Sequence, residues 1–186
     1  MAVLRNTWQR CYRAALALLQ NTRHPIAQYT FDIINKKELM IIPFAKLHKD
    51  DFELFLDNYY DEKNEQLPKI FPPSKVVIDK LTRIWAAKIS ENRVTINSQI
   101  NNPKKIAEIL IHEANHFLND SNQHYETKEQ MFLEEFRAEV AEALVFSKPV
   151  RNGQLRKIAN HVADRFGMAH PKRVEMPSGR FFPEVR

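Results

Sequence analysis

The stretch His112-Glu113-Ala114-Asn115-His116 constrains this chain more than any other. Two histidines four residues apart stack one turn above the other on one face of an α-helix, so both imidazoles can reach a single metal ion. A glutamate directly after the first histidine projects beside such an ion, where it can take a proton from water. The spacing therefore requires a helix, and it requires the fold to bring a further ligand from elsewhere. With 7 His and 15 Glu among 186 residues, random order would produce the pattern in roughly two chains per hundred of this composition. The surrounding sequence has to decide.

Asn101-Asn102-Pro103 supplies a capping side chain and a proline suited to the first helical position. From Lys104 to Leu118 no glycine or proline intervenes, and Ile106, Leu110, Ala114 and Phe117 recur at helical spacing. This predicts an amphipathic helix with a buried stripe. Upstream, Arg93-Val94-Thr95-Ile96-Asn97 alternates polar and apolar residues, the pattern of a short half-buried strand. Downstream, Met131 to Leu144 is rich in helix formers and predicts a second helix. On it Glu135, Glu139 and Glu142 share one stripe, while Leu133, Phe136, Val140 and Leu144 share another that should face the core. An acidic stripe is also what an ordinary solvated helix face looks like.

Over residues 93–146 this arrangement resembles the zincin metallopeptidases, and the gluzincins in particular. Strand, turn and motif helix come in their order, and Glu135 follows His116 by 19 residues, close to the roughly twenty of a gluzincin third ligand. The resemblance implies an α+β, helix-rich domain with a small antiparallel or mixed sheet packed on the motif helix. It implies Zn²⁺ held by His112, His116 and Glu135, with a fourth position open to solvent. Glu113 becomes the general base, and Glu139, at i+4 from Glu135, the partner that fixes the tautomer of a ligand histidine, His112 for preference. A downstream histidine or tyrosine commonly stabilises the oxyanion; His161 is the candidate, with Tyr125 behind it. The substrate would be a protein or peptide extended along an edge strand near Arg93–Asn97.

A metzincin would need glycine at 119 and histidine at 122, where this chain has Asn119 and Asn122. His124 and Glu134 stay open as other third ligands, although Glu134 is equally expected to pair with Arg137 or Lys128. The Glu134-Glu135-x-x-Ala138-Glu139 pattern also resembles short HExxH proteins among bacterial effectors, anti-restriction proteins and phage-linked regulators. That likeness implies a peptidase of narrow specificity, cytoplasmic in the producing cell or delivered to a target cell by a specialised secretion system. A regulator or nucleic-acid-binding protein with a structural zinc site, and a zinc amidase acting on cell-wall peptides, are the competing readings.

Composition sets the outer limits. Hydrophobic content of 44% and charged content of 27% suit one globular domain spanning residues 1–186. No run approaches the roughly 20 apolar residues of a membrane span. A single cysteine, Cys11, excludes an internal disulfide and a cysteine metal cluster. Residues 1–31 carry no acidic side chain, and Arg5, Arg10, Arg13 and Arg23 punctuate Trp8, Tyr12, Ala15, Leu16, Leu18 and Leu19. The apolar stretch Ala14–Leu19 is too short for a signal peptide; a basic helix over about residues 3–21, docked on the domain, is expected, and a transit helix fits the composition too.

Further expectations are a hairpin of Gln28–Ile34 and Leu39–Phe44 around Asn35-Lys36-Lys37, a helix from Asp50 through Tyr59 and a loop over Asp61–Pro73. Beyond these come a helix from Ser74 to about Lys88, a helix from Gly153 to about Phe166, and a weakly ordered basic tail over 171–186. The net charge of +5, without a recognisable binding module, gives no reason to expect a nucleic-acid partner.

Overall fold

Asn102 starts the motif helix. Its side-chain oxygen accepts hydrogen bonds from the backbone N–H groups of Lys104 (3.0 Å) and Lys105 (3.3 Å), while Pro103 has no N–H to leave unpaired. The structure, a computed structural model, describes residues 2–58, 86–119, 127–146 and 150–177. In chain order these form α1 (Ala2–Asn21), α2 (Pro25–Asn35), β1 (Met40–Pro43), a 3₁₀ turn (Phe44–Lys46), α3 (Lys49–Asn58), β2 (Ala86–Ser90), β3 (Arg93–Ile96), α4 (Pro103–Asn119), α5 (Lys128–Phe146) and α6 (Asn152–Arg165). The fold is α+β and helix-rich, with one three-stranded mixed sheet in the order β1-β3-β2.

The motif helix lies inside a shell of other elements. Its Ile106, Ala107, Ile109, Leu110, Ile111 and Ala114 are buried, a wider arc than a surface helix would hide. They join one core with Trp8, Ala15 and Leu19 of α1, Ile26 and Ile33 of α2, Phe136 and Val140 of α5, Leu155 and Ala159 of α6, and Val94 and Ile96 of β3. The basic N-terminal helix is thus docked on this core. The Cys11 thiol reaches the Asn101 carbonyl (3.2 Å), just ahead of the α4 cap. A smaller cluster of Leu47, Phe52, Phe55, Leu56 and Ile89 seats α3 on the sheet. There Arg93 pairs with Asp51 and donates from Nε to the Ser90 hydroxyl (3.0 Å), bracing the irregularity between Lys88 and Ser90. Among the described residues no helix is long and apolar enough to cross a membrane.

Five expectations are corrected. Gln28–Ile34 is helical: it forms the body of α2, not the first strand of a hairpin. Its β-branched and aromatic residues suggested a strand, but Ile26, Ala27, Thr30, Ile33 and Ile34 are buried at helical spacing. His24 caps the start by accepting from Ile26 N–H (3.3 Å). Lys37, at φ 61°, closes the end: its N–H bonds the Ile34 carbonyl and that of Glu38 the Ile33 carbonyl, a left-handed stop usually given to glycine. Leu39–Phe44 does supply a strand, β1, but it runs parallel to β3.

Residues 86–88, expected to end a helix, belong to β2; Asp61–Pro73 and 74–85 lie outside the described residues. Leu133 is 55% exposed, because the buried face of α5 is drawn through Phe136, Ala138, Val140 and Ala141. The segment Arg93–Asn97 is not an edge: β3 is paired with β1 on one side and β2 on the other. The tail is anchored from Pro171 to Pro177, with Val174 and Met176 packed on the main core and Arg156 donating to the Lys172 carbonyl (3.3 Å). Residues 178–186 lie outside the described residues.

Candidate metal centre

Helices α4 and α5 pack against each other, and their contact brings three side chains together. His112 Nε2 and His116 Nε2 stand 3.0 Å apart, with ring centroids at 4.8 Å and the planes crossed at 70°. The Glu135 carboxylate reaches both: Oε1 lies 3.4 Å from His116 Nε2 and Oε2 lies 3.5 Å from His112 Nε2. Among the described residues this is the one group of three or more such side chains placed to hold a metal ion, with all three donor atoms within 4.8 Å of one another. Donors held at about 2.0–2.1 Å around a tetrahedral ion stand about 3.3–3.4 Å from one another. The observed separations bracket that value. Glu135 Oε2 is buried, and its charge is met by Arg165 Nη1 at 3.0 Å and His112 Nε2 at 3.5 Å. The donor set, two imidazoles and one carboxylate, fits zinc.

The second ring nitrogen of His112 is held from behind. Nδ1 lies 2.7 Å from Glu142 Oε1, so Nδ1–H donates to the carboxylate and Nε2 is left facing the site. This corrects the expectation for Glu139. Seven residues carry Glu142 back to within about 20° of Glu135 around α5, whereas four leave Glu139 turned about 40° the other way. Glu139 therefore faces α6, where its Oε1 is 3.2 Å from Arg165 Nη1 and 4.0 Å from His161 Nε2. Replacing Glu142 with glutamine should weaken metal binding about 10- to 100-fold without unfolding the chain. Competition against a chelator of known affinity measures this; unchanged affinity would remove Glu142 from the metal centre.

His161 does not line the site. Its side chain is 67% exposed and its neighbour is Glu139. One turn further along α6, Arg165 lines the pocket instead, with Nη1 at 3.0 Å from Glu135 Oε2. Gly167, at φ 61°, ends α6 directly afterwards: its N–H bonds the Asp164 carbonyl and that of Met168 the Ala163 carbonyl. Of the other ligand alternatives, Glu134 pairs with Arg137, as expected. His124 and Tyr125 lie outside the described residues.

The pocket holds about 290 Å³. His112, Glu113, His116 and Glu135 line it from the helices, Ala86, Ala87, Lys88 and Glu91 from β2 and its turn, and Leu39, Val94 and Phe117 supply an apolar wall. No signal in the sequence pointed to β2, because its residues read as a helix end. Glu142 was visible as a member of the acidic stripe but its phase was not, and Arg165 carried no signal at all.

The electrostatics follow from burial and proximity. Burial pushes the Glu113 carboxyl up, and the neighbouring Glu135 and Glu142 push the same way against both histidines. Burial works against a charged His112, but hydrogen bonds to Glu135 and Glu142, with the Glu113 and Glu135 charges, outweigh it and push the imidazole up to about 10. Burial likewise opposes a charged Glu135, yet the two histidines hold it well below the usual carboxylate range. Glu139 is pushed up, chiefly by burial.

A metal needs the neutral imidazole, so metal uptake must expel the proton that metal-free His112 holds below about pH 10. The apparent metal affinity is therefore expected to climb by about tenfold per pH unit between pH 7 and 9, one proton leaving per ion bound. Calorimetry in buffers of different ionisation enthalpy measures that proton directly. A pH-independent affinity would place the metal elsewhere.

Compared with protein families, curated proteins and solved structures, this chain has no match.

Proposed function

We propose that this protein is a zinc-dependent peptidase that hydrolyses a peptide bond within a protein or peptide substrate. One observation carries the reading: His112, His116 and Glu135 converge from two helices on one point, in an open pocket also lined by Glu113. Three donors and access to solvent suit a catalytic centre, whereas a structural zinc takes four protein ligands.

When bound, zinc supplies Lewis acidity at the scissile carbonyl. The chain's own residues do the rest. Glu142 holds His112 in the tautomer whose Nε2 is free to ligate. Glu113 accepts the proton of the attacking water and delivers it to the leaving amine; a carboxyl pushed up by burial is better matched to that exchange near neutral pH than an exposed one. Leu39, Val94 and Phe117 restrict water at one side of the pocket. Strand β2 replaces β3 as the candidate track for an extended substrate. It lines the pocket, and among the described residues it is paired on one side only.

Elemental analysis of the pure full chain, paired with digestion of a mixed peptide library, tests the reading. One zinc per chain is expected, with cleavage abolished by a chelator and restored by zinc. A chain that takes up no zinc, or whose zinc is closed by four protein ligands, would end it.

A further inference from the structure

We propose that Arg165 is the residue of this pocket that binds an anionic oxygen of the ligand beside the metal, with Glu139 as the positioning residue that aims it. This rests on the metallopeptidase reading above, and the oxygen concerned is that of the scissile carbonyl as it gains charge during hydrolysis.

The geometry singles out Arg165. The Arg165 guanidinium lies 3.0 Å from an oxygen of Glu135, one of the three converging side chains. Arg165 belongs to the pocket lining together with both histidines and Glu113. Its attachments to Glu135 and Glu139 run through Nη1 alone. Among the described residues Nε and Nη2 have no partner, so a half-exposed guanidinium with five N–H donors keeps several of them available. A fixed cation beside a developing oxyanion is the arrangement that stabilises the transition state of acyl transfer.

Glu139 explains why the guanidinium stays there. When a metal takes the charge of Glu135, Arg165 loses the nearer of its two carboxylates, and the Glu139 pair at 3.2 Å keeps the side chain on the pocket. Glu139 sits four residues from Glu135, turned toward α6 and mostly buried, and the same Oε1 that meets Arg165 lies 4.0 Å from His161 Nε2. Glu139, which the sequence marked for another role, thus forms the support behind Arg165.

The test uses the full chain loaded with cobalt(II), whose visible spectrum reports ligands entering the metal's surroundings, and inorganic phosphate as the anionic probe. Wild type should take one cobalt per chain and shift its spectrum on phosphate addition. Arg165→Met should still take one cobalt but bind phosphate about 10- to 100-fold more weakly, the loss expected for a charge-assisted hydrogen bond. Arg165→Lys should recover part of that affinity, and Glu139→Gln should lose several-fold while cobalt affinity holds. Unchanged phosphate affinity in cobalt-loaded Arg165→Met would overturn the assignment. So would loss of cobalt affinity in both Arg165 variants, which would make Arg165 a support for Glu135 alone. Failure of the wild type to take cobalt would instead overturn the metallopeptidase reading, and this inference with it.

Discussion

Replacing Glu113 with glutamine is expected to leave metal binding intact and to lower peptide hydrolysis by about 10²–10⁴-fold, the usual contribution of a positioned general base. Glu113 is not one of the three converging donors, so the amide should not disturb the ion's grip. The substitution keeps the side chain's size in a packed wall and removes one property, the capacity to take up and return a proton. The same carboxylate sets an acid limb on the pH profile. A base must be deprotonated to act, so activity should fall as pH is lowered through the titration of Glu113, a carboxyl that burial pushes up and that a bound dication beside it pushes back down. Metal content and initial rates on one cleaved peptide, measured for both proteins across pH, check the two parts together. Wild-type turnover by the glutamine variant with its metal in place would exclude Glu113 as the base.

What the sequence revealed of this site, and what it hid, divides along a physical line. His112, Glu113 and His116 were legible because their relation is local: helical geometry fixes where i and i+4 point, whatever surrounds them. Glu135 was reached only through the gluzincin resemblance, from its 19-residue distance to His116; the acidic stripe by itself did not single it out. The choice between Glu139 and Glu142 was not legible, since it depends on the rotation of α5 against α4. The exposure of Leu133 records the same rotation. Arg165 is 30 residues beyond Glu135 on a third helix, and only the packing of α6 on α5 brings it to the pocket.

The sheet was hidden for a different reason. The alternation of Arg93–Ile96 announces a strand but says nothing about its neighbours, and the parallel pairing with β1 across more than fifty residues makes it the centre of the sheet. In α2 the β-branched and aromatic residues gave a strand signal that burial of a helical stripe overrode. Local chemistry survived the passage from sequence to structure; phase and neighbourhood came only with the packing.

Replacing Glu135 with alanine is expected to cost the chain its metal at ordinary concentrations. Zinc held by four protein ligands at a structural site is worth about 10–16 kcal/mol, or about 2.5–4 kcal/mol per ligand; a similar share for one of three ligands here is about 10²–10³-fold in affinity. Glutamine at 139 should bind metal nearly as wild type does, because Glu139 faces Arg165 and His161, away from the two ring nitrogens. The pair of variants separates the third ligand from its neighbour one turn away, which the acidic stripe alone could not do. The fold should tolerate the change. Glu135 lies on the half-buried face of α5, outside the apolar cluster of Phe136, Val140 and Ala141, and its loss leaves His112 still bonded to Glu142 and Arg165 still paired with Glu139. Titration of metal against a competing chelator, with far-ultraviolet circular dichroism as the check on folding, reads both effects. Undiminished affinity in a folded Glu135→Ala chain would move the third ligand to another carboxylate or to His124, and the contact between α4 and α5 would lose its functional meaning.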